Sequence, residues 1–159
     1  MAMKSIEISE YLAGQEIIIH DLIKRVYDEF VSPDYSPAGN QFFHDWIEPS
    51  KIAARQLFKR AIFVAFAGSE IVGMIEIRDN NTISLLFVDK KVHGQGIAKR
   101  LFHTALKSCL LNDPTLDKFY VHASPFSIPV YKKLGFTETD TMQEQNGIKY
   151  LPMEKMIER

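Results

Sequence analysis

Apolar residues recur at helical spacing over the first third of the chain. A short alternation of apolar and polar residues from Lys4 to Ile8 is typical of a strand, and the segment from Gln15 to Phe30 then predicts a helix that Ser32-Pro33 ends. Ser36-Pro37 predicts the N-cap and first turn of a second helix, and Ser50 the start of a third. The expected apolar positions of these helices are Ile18, Leu22, Val26 and Phe30, then Phe42, Phe43, Trp46 and Ile47, then Ala53, Ala54, Leu57 and Phe58.

The pattern changes to that of β-strands at Ala61. The segments A-I-F-V-A-F-A and I-V-G-M-I-E-I-R, joined by Gly68-Ser69, predict a hairpin. Asn80-Asn81 makes a second turn and is followed by a third strand, T-I-S-L-L-F-V-D. Because the two later strands are apolar on nearly both faces, we expect them at the centre of a sheet that helices cover on each side.

A glycine-containing loop, K-K-V-H-G-Q-G, leads from these strands to the most regular helix of the chain. One ridge of that helix consists of Ile97, Leu101, Ala105 and Cys109. Further on, Phe119–Ala123 predicts a strand and Ser127–Leu134 a short helix. Asn146-Gly147 predicts a tight turn between two last strands at about Glu138–Gln145 and Ile148–Lys155. This order of elements predicts the α+β class.

Composition narrows the class of protein without identifying its chemistry. The 159 residues, 46% of them hydrophobic, fit a single domain over residues 1–159 and exclude a disordered chain. The formal net charge of −1 provides no positive field for nucleic acid or an anionic membrane, so we expect neither partner. Cys109 is the single cysteine, which excludes an internal disulfide and suggests a reducing compartment. With no signal-peptide pattern and no apolar run near the ~20 residues of a membrane span, we expect a cytoplasmic protein.

The segment around the glycine-containing loop carries the clearest chemistry. Gly94 and Gly96 let a ligand approach the backbone closely, and the first amides of the following helix suit a phosphate or pyrophosphate. Lys99 and Arg100 add positive charge in the first turn. The sequence is not a P-loop, because Ala98 precedes Lys99 and Arg100 follows it, and a dinucleotide fingerprint would need a third glycine at Lys99. A strand-to-helix turn without any ligand stays an alternative at this point.

Two motifs resemble those of the GNAT acyltransferase superfamily. H-G-Q-G-I-A, from His93 to Ala98, resembles motif A, [QR]-x-x-G-x-[GA], with His93 at the usual Gln/Arg position. Downstream, A-S-P-F-S-I-P-V-Y-K-K-L-G-F resembles motif B: Tyr131, Gly135 and Phe136 fit, and Val130 replaces the usual aromatic residue. The resemblance extends over about residues 5–156.

The resemblance implies the GNAT fold and its use of acetyl-coenzyme A as cosubstrate. That fold has a mixed, mostly antiparallel sheet of about seven strands flanked by helices in three layers. Its sheet splays between the fourth and fifth strands to admit the pantetheine arm, and main-chain amides of motif A hold the pyrophosphate. The implied coenzyme-binding residues are Phe87, Val88, His93, Gly94, Gln95, Gly96, Ile97, Ala98, Lys99 and Ser124. Among them, the Val88 amide is the expected donor to the thioester carbonyl.

The implied reaction is N-acetyl transfer by direct attack of an amine in a ternary complex. By resemblance Tyr131 is the general acid toward the coenzyme A sulfur, with a role as a core tyrosine as the alternative. Glu76 is the first candidate for the base, acting through water; alternatively it pairs with Arg78 or a lysine. His122 is the second candidate. The histidines show no metal-ligand spacing, so no metal is expected.

The acceptor is expected to be a primary amine of a small molecule or peptide. The resemblance places Phe42, Phe43 and Trp46 on the acceptor side, where they line a pocket or belong to the core. Asp34, Tyr35 and Asp45 are candidates for contacts with a cationic amine. Family members often dimerise, so a homodimer is compatible with the resemblance. The alternatives are a non-catalytic GNAT-fold module that binds acyl-coenzyme A and a phosphate-binding regulatory domain.

Overall fold

The computed structural model describes residues 5–158, which form five α-helices and eight strands. The helices are α1 Glu16–Phe30, α2 Pro37–Trp46, α3 Pro49–Arg55, α4 Ile97–Asn112 and α5 Ile128–Lys133. The strands are β1 Ile6–Glu10, β2 Arg60–Ala67, β3 Glu70–Arg78, β4 Thr82–Val88, β5 Lys118–Ala123, β6 Thr137–Glu138, β7 Gln143–Gln145 and β8 Ile148–Met156. Lys4, where the first predicted strand begins, lies outside the described residues. No helix among residues 5–158 is both long and apolar enough to cross a bilayer.

The strands form one mixed sheet in the order β1-β2-β3-β4-β5-β8-β6, with β7 paired to β8. All pairs are antiparallel except β4 with β5, so the predicted α+β class and mostly antiparallel sheet are confirmed. The sheet has eight strands rather than about seven, because the segment expected as one strand at Glu138–Gln145 is divided. Asp140 accepts the Thr141 amide in a local turn, and β6 and β7 pair with different parts of β8.

Helices cover both faces of the sheet, as the apolar strands predict. Two of the expected helical patterns nevertheless need correction. In α1 the buried stripe runs through Ile19, Ile23 and Tyr27 as well as Leu22 and Val26, while Ile18 is 55% exposed. Because Ile17, Ile18 and Ile19 are consecutive, the sequence pattern alone does not show which of them faces the core.

The third helix is shorter than its apolar pattern suggests. The helix ends at Arg55. The amides that follow bond to the carbonyl three residues back instead of four, as Phe58 does to Arg55, and Lys59 then adopts a φ of 49°. Leu57 and Phe58 are consequently outside the helix and 79% and 75% exposed. The ridge of α4 is confirmed: Ile97, Leu101, Ala105 and Cys109 are all buried.

Strand β4 separates from β5 after the first two residues of β4. The two strands share only the register pairs Thr82↔Tyr120 and Ile83↔Val121. On the other side of β4 the pairing with β3 shifts between Ile77↔Ile83 and Glu76↔Leu85, which leaves Ser84 as a bulge. Ser84 directly follows the last residue of β4 that pairs with β5. A bulge bends and twists the strand that carries it, so the bulge at Ser84 turns β4 away from β5. The splay expected between the fourth and fifth strands is therefore present.

The turn between β7 and β8 packs backbone to backbone against the start of α2. Asn146 and Gly147 have φ values of 56° and 78°, which confirms the tight hairpin turn expected there. The Ser36 amide donates to the Gly147 carbonyl at 3.1 Å, and Ser36 Oγ caps α2 by accepting from the Gly39 amide. A Cβ on Gly147 would overlap Ser36 Oγ, and a Cβ on Gly39 would overlap the Gly147 carbonyl. Glycine is thus required on both sides of this contact.

The contact predicts a larger loss of stability for Gly147→Ala than for Gly14→Ala. Both glycines have left-handed φ values, so each alanine costs about 1–2 kcal/mol in backbone strain. Gly14 has open space around its Cβ position, whereas Gly147→Ala adds overpacking of ~1–3 kcal/mol against Ser36. Urea unfolding of the two variants measures the difference. Equal losses of unfolding free energy in the two variants would show that the turn does not pack closely against the start of α2.

Candidate functional site

A cavity of ≈ 340 Å³ lies where β4 and β5 separate. The second half of β4 forms one wall, and residues at and beyond the end of β5 form another. The start of α4 and residues of the α1–α2 region close the remaining sides. The lining residues are Val26, Tyr27, Val31, Tyr35, Phe43, Ser84, Leu85, Leu86, Phe87, Val88, Val92, His93, Gly94, Gly96, Ile97, Ala98, His122, Ser124, Phe126, Ser127, Val130 and Tyr131.

The glycine-containing loop presents backbone at one end of this cavity. Gly94 and Gly96 have φ values of 80° and 76°, a conformation that side chains disfavour, and nothing lies near their Cβ positions. Gly96 is the N-cap of the 16-residue helix α4, and no side chain caps that end. The first amides of α4 are therefore available to an anion, at the positive end of the helix dipole.

Two side chains fix the loop to the end of β4. His93 Nε2 donates to the Val88 carbonyl at 2.7 Å. Asp89, which is buried, accepts from Arg25 Nη2 at 2.7 Å and from the Lys91 amide at 3.1 Å. Burial favours the neutral acid, but these donors outweigh it and hold the pKa of Asp89 below its usual value. His93 and Asp89 thus hold the start of the loop against the end of β4.

The backbone of β4 faces the cavity at the residue predicted from the sequence. The Asp89 amide donates to the Val72 carbonyl of β3, and successive amides of a strand alternate in direction. The Val88 amide consequently points away from β3, toward the side where β5 has separated. The Val88 carbonyl on that same side is the one that His93 contacts.

Tyr131 lies in the wall of the cavity, on the short helix α5. Its side chain is buried and packs edge-to-face on Phe136, 5.6 Å between ring centroids. Burial, with a smaller contribution from Tyr35, raises the pKa of Tyr131 well above its usual value. The phenol therefore keeps its proton at neutral pH and can act as a donor.

Glu76 lies in a buried ion-pair cluster and not in the lining of the cavity. Its carboxylate accepts from Arg60 Nη1 at 3.1 Å, from Gln56 Nε2 at 2.7 Å and from Ser84 Oγ at 2.5 Å. The alternative pairing expected with Arg78 or a lysine is wrong, because Arg78 bonds to Asp79. The Ser84 contact ties the carboxylate to the bulge of β4.

A second guanidinium makes the Glu76 cluster rich in positive charge. Arg55 Nε lies 4.0 Å from the carboxylate, and its Nη1 donates to the Trp46 carbonyl at 2.7 Å. Its guanidinium stacks on the Trp46 ring, 4.0 Å from the ring centroid. Burial lowers the pKa of Arg55 in spite of the nearby carboxylate. One carboxylate thus balances two guanidinium groups.

His122 occupies the wall of the cavity opposite β4. Its ring stacks on Tyr150, 4.4 Å between centroids, and lies open to the cavity. Burial lowers the pKa of His122 from its ordinary value, and the charge of Arg78 adds to this effect. A neutral imidazole that faces the cavity at pH 7 is able to accept a proton.

The structure brings together most but not all of the predicted site residues. Phe87, Val88, His93, Gly94, Gly96, Ile97, Ala98, Ser124 and Tyr131 line one cavity. Gln95 and Lys99 are exposed and outside its lining, as are Asp34, Asp45 and Phe42. Trp46 packs on Arg55 instead, whereas Tyr35 and Phe43 do line the cavity.

Several lining residues escaped the sequence analysis. Tyr27, Ser84, Phe126 and Ser127 belong to ordinary apolar or polar patterns, and only the tertiary fold brings them to the cavity. Cys109 is buried and its pKa is raised to about 11, in agreement with a core position. No cluster of His, Cys, Asp and Glu suited to a metal ion occurs within the described part of the chain.

Comparison with known proteins agrees with this arrangement. The family model for the acetyltransferase (GNAT) domain matches residues 31–157. No curated protein matches the sequence. A GCN5-related N-acetyltransferase from Rhodopseudomonas palustris has 17% identity and a TM-score of 0.82, with 99% of each chain covered.

Two similar structures contain coenzyme A. The PaiA N-acetyltransferase from Thermoplasma acidophilum, in complex with coenzyme A, has 20% identity and a TM-score of 0.76, covering 96% of this chain and 99% of the other. An aminoglycoside 6'-N-acetyltransferase complexed with coenzyme A has 16% identity and a TM-score of 0.70, covering 96% and 98%. At these identities the likeness shows the fold.

The Glu76 cluster predicts that Glu76→Ala destabilises the protein by about 3–5 kcal/mol, because two largely buried guanidinium groups lose the one carboxylate that they pair with among residues 5–158. Glu70→Ala on the same strand is the matched control. Glu70 pairs with Lys91 on the surface, where the loss is at most about 1 kcal/mol. Chemical denaturation of both variants measures these free energies of unfolding. A similar small loss for both would remove the structural role of Glu76.

Proposed function

Since the chain belongs to the GNAT acetyltransferase family, we propose that it is an N-acetyltransferase that uses acetyl-coenzyme A. The acetyl group passes to a primary amine of a small molecule or peptide, by direct attack in a ternary complex. The observation that carries this proposal is one continuous cavity that joins the glycine-containing loop at α4 to Tyr131. It connects an anion-binding helix end to a buried proton donor, which are the two ends that a thioester donor requires.

The cosubstrate fits this cavity through backbone more than through charged side chains. The amides from His93 to Lys99 suit the pyrophosphate, and the open edge of β4 at Phe87 and Val88 suits the pantetheine arm. Ser124 faces that edge from beyond the end of β5. The Val88 amide is the donor that we assign to the thioester carbonyl as negative charge develops on its oxygen.

Tyr131 and His122 are the groups that we assign to proton transfer. His122 takes a proton from the amine, whose nitrogen bonds to the acetyl carbonyl carbon. The carbon–sulfur bond then breaks, and Tyr131 gives its proton to the departing sulfur. The raised pKa of Tyr131 and the lowered pKa of His122 leave each group in the protonation state that this sequence needs at neutral pH.

The role of Glu76 as the general base remains a prediction from the sequence, and the geometry favours His122 for that role. His122 lines the cavity, whereas the Glu76 carboxylate is fully buried and already accepts three hydrogen bonds. We assign Glu76 a positioning role instead, since it holds Ser84 in the bulge of β4. Ser84 itself lines the cavity.

The assignment of the acid predicts that Tyr131→Phe lowers kcat about 10²–10⁴-fold, because the sulfur then departs without a proton. Coenzyme A binding is expected to persist, since the loop and β4 are unchanged. Coenzyme A release with an amine panel measures turnover, and the thermal shift with coenzyme A measures binding. Tyr120→Phe, at a tyrosine that is 40% exposed and outside the cavity lining, is the control.

The outcomes of this experiment separate an enzyme from a binding module. Full turnover by Tyr131→Phe would remove the role of Tyr131 as the acid. A thermal shift with coenzyme A but no turnover of any amine by the wild type would favour the non-catalytic acyl-coenzyme A module. A shift with ADP as large as that with coenzyme A would point to a phosphate-binding domain instead.

The assignment of the base predicts a pH-dependent effect of His122→Gln. The ratio of wild-type to variant kcat/KM is expected to be highest above pH 6.5, roughly 10²-fold, and to fall toward one as His122 becomes protonated at lower pH. Taking the ratio cancels the protonation of the amine itself. His103→Gln is the control, because His103 also has a lowered pKa but lies on α4, outside the cavity lining. A ratio independent of pH would contradict the assignment.

A further inference from the structure

Four aromatic rings form a continuous surface on one side of the cavity, which we call the aromatic wall: Tyr27, Tyr35, Phe43 and Phe87. Tyr27 stacks on Phe43 with 3.9 Å between centroids and an interplanar angle of 6°. Tyr35 contacts Tyr27 edge-to-face at 5.8 Å, and Phe87 lies 6.1 Å from Phe43. All four residues belong to the lining of the cavity; Tyr27 is itself fully buried and stacked on Phe43, so Tyr35, Phe43 and Phe87 provide the accessible rings.

The aromatic wall lies apart from the coenzyme-binding loop. Phe43 and Phe87 pack on the core cluster that α1 to α3 form against the sheet, whereas Ile97 at the start of α4 belongs to the core on the opposite face. Tyr35 lines the same cavity as Tyr131. The wall is therefore next to the predicted proton donor and on the side left for the acceptor.

The chemistry of the lining favours an apolar acceptor. Every described lining residue is aliphatic, aromatic, glycine, serine or histidine. Two acidic side chains directly neighbour the wall in sequence: Asp28 is already bonded to Lys24 and His44, and Asp34 is exposed and outside the cavity lining. Each additional ammonium of a polycation would lose its hydration against rings, whereas an aromatic ring gains contact area and stacking there.

The acceptor end of the cavity is also confined. Tyr35 directly precedes Ser36, whose amide bonds to the Gly147 carbonyl in the contact between α2 and the hairpin turn. Helix α2 also holds Tyr27 of α1 in place, because the Tyr27 hydroxyl donates to Asn40 Oδ1 at 2.7 Å. Since the ≈ 340 Å³ cavity must hold both the acetyl end of the donor and the acceptor, the acceptor is small.

We infer that the acceptor is a small primary amine with an aromatic or apolar body, of the phenylalkylamine class, whose ring lies against the aromatic wall. This inference rests on the proposed acetyltransferase function. A polyamine, an aminoglycoside or a peptide is the competing class. A single amine meets the reacting centre, and the wall holds the rest of the molecule.

The test compares 2-phenylethylamine, ethylamine and spermidine as acceptors for the full chain with acetyl-coenzyme A. We expect kcat/KM for 2-phenylethylamine to exceed that for spermidine at least about tenfold, since an aromatic ring against such a wall contributes both burial and stacking. Phe43→Leu keeps an apolar side chain but removes the stacked ring. It is expected to raise KM for 2-phenylethylamine several-fold and to change kcat/KM for ethylamine much less, because ethylamine has no ring to stack.

Phe42→Leu is the matched control, one residue away on α2. Phe42 is 48% exposed and outside the cavity lining, so its replacement should leave both acceptors unaffected. The thermal shift with coenzyme A verifies that each variant is folded with an intact donor site. Equal effects of Phe42→Leu and Phe43→Leu would overturn the inference.

The outcomes also distinguish this inference from the function on which it rests. Acetylation of spermidine in preference to 2-phenylethylamine would overturn the inference and leave the acetyltransferase function in place. Calorimetric binding of 2-phenylethylamine to the coenzyme-A-loaded protein, lost in Phe43→Leu but without turnover, would support the amine site and contradict the proposed function. If 2-phenylethylamine does not bind and no tested amine, ethylamine and spermidine included, is acetylated, both the inference and the proposed function would be overturned.

Discussion

The separation of β4 from β5 is the feature on which the site depends. β4 keeps β3 as a partner along its length but has β5 beside it only at Thr82 and Ile83. Unpaired backbone groups inside a protein are costly, so such an opening persists only when something else constrains the strand. Here the constraint is the bulge at Ser84, whose hydroxyl donates to the buried Glu76 carboxylate. The open edge is thus fixed by residues of the sheet itself.

The elements around this opening explain how a nearly neutral protein would bind the anionic cosubstrate that we propose. The left-handed Gly94 and Gly96 expose main chain, and α4 begins without a side-chain cap. Helix-end amides provide positive potential that needs no excess of lysine or arginine. Charged side chains nearby hold the loop instead: Arg25 binds Asp89, and Lys91 binds Glu70.

Much of this architecture was predictable from the sequence, because the decisive patterns are local. Apolar strands, the glycines of the loop, the Ser36 cap and the Asn146-Gly147 turn each determine their own conformation within a few residues. The errors arose where tertiary packing decides. Three consecutive isoleucines left the buried face of α1 open, and Leu57 and Phe58 continue a helical pattern that the backbone abandons after Arg55.

The partners of Glu76 show most clearly what sequence alone omits. Arg60 and Gln56 are distant in sequence from Glu76 and come to it only through the register of β2 with β3 and the end of α3. A carboxylate in an apolar strand was a reasonable candidate for a base. The fold instead surrounds it with donors, while the exposed and less conspicuous His122 faces the cavity.

The distribution of charge between scaffold and cavity connects these observations. Strong ion pairs occupy the sheet interior at Glu76 and the loop base at Asp89, whereas the described cavity lining carries only neutral groups and histidines. In such a lining, water competes less for hydrogen bonds, so a hydrogen bond from the Val88 amide or the Tyr131 hydroxyl, as we propose, would stabilise a developing charge more strongly. The same low polarity raises the pKa of Tyr131 and lowers that of His122. The absence of formally charged side chains from the described cavity lining therefore underlies the proposed proton donor, the proposed proton acceptor and the aromatic wall together.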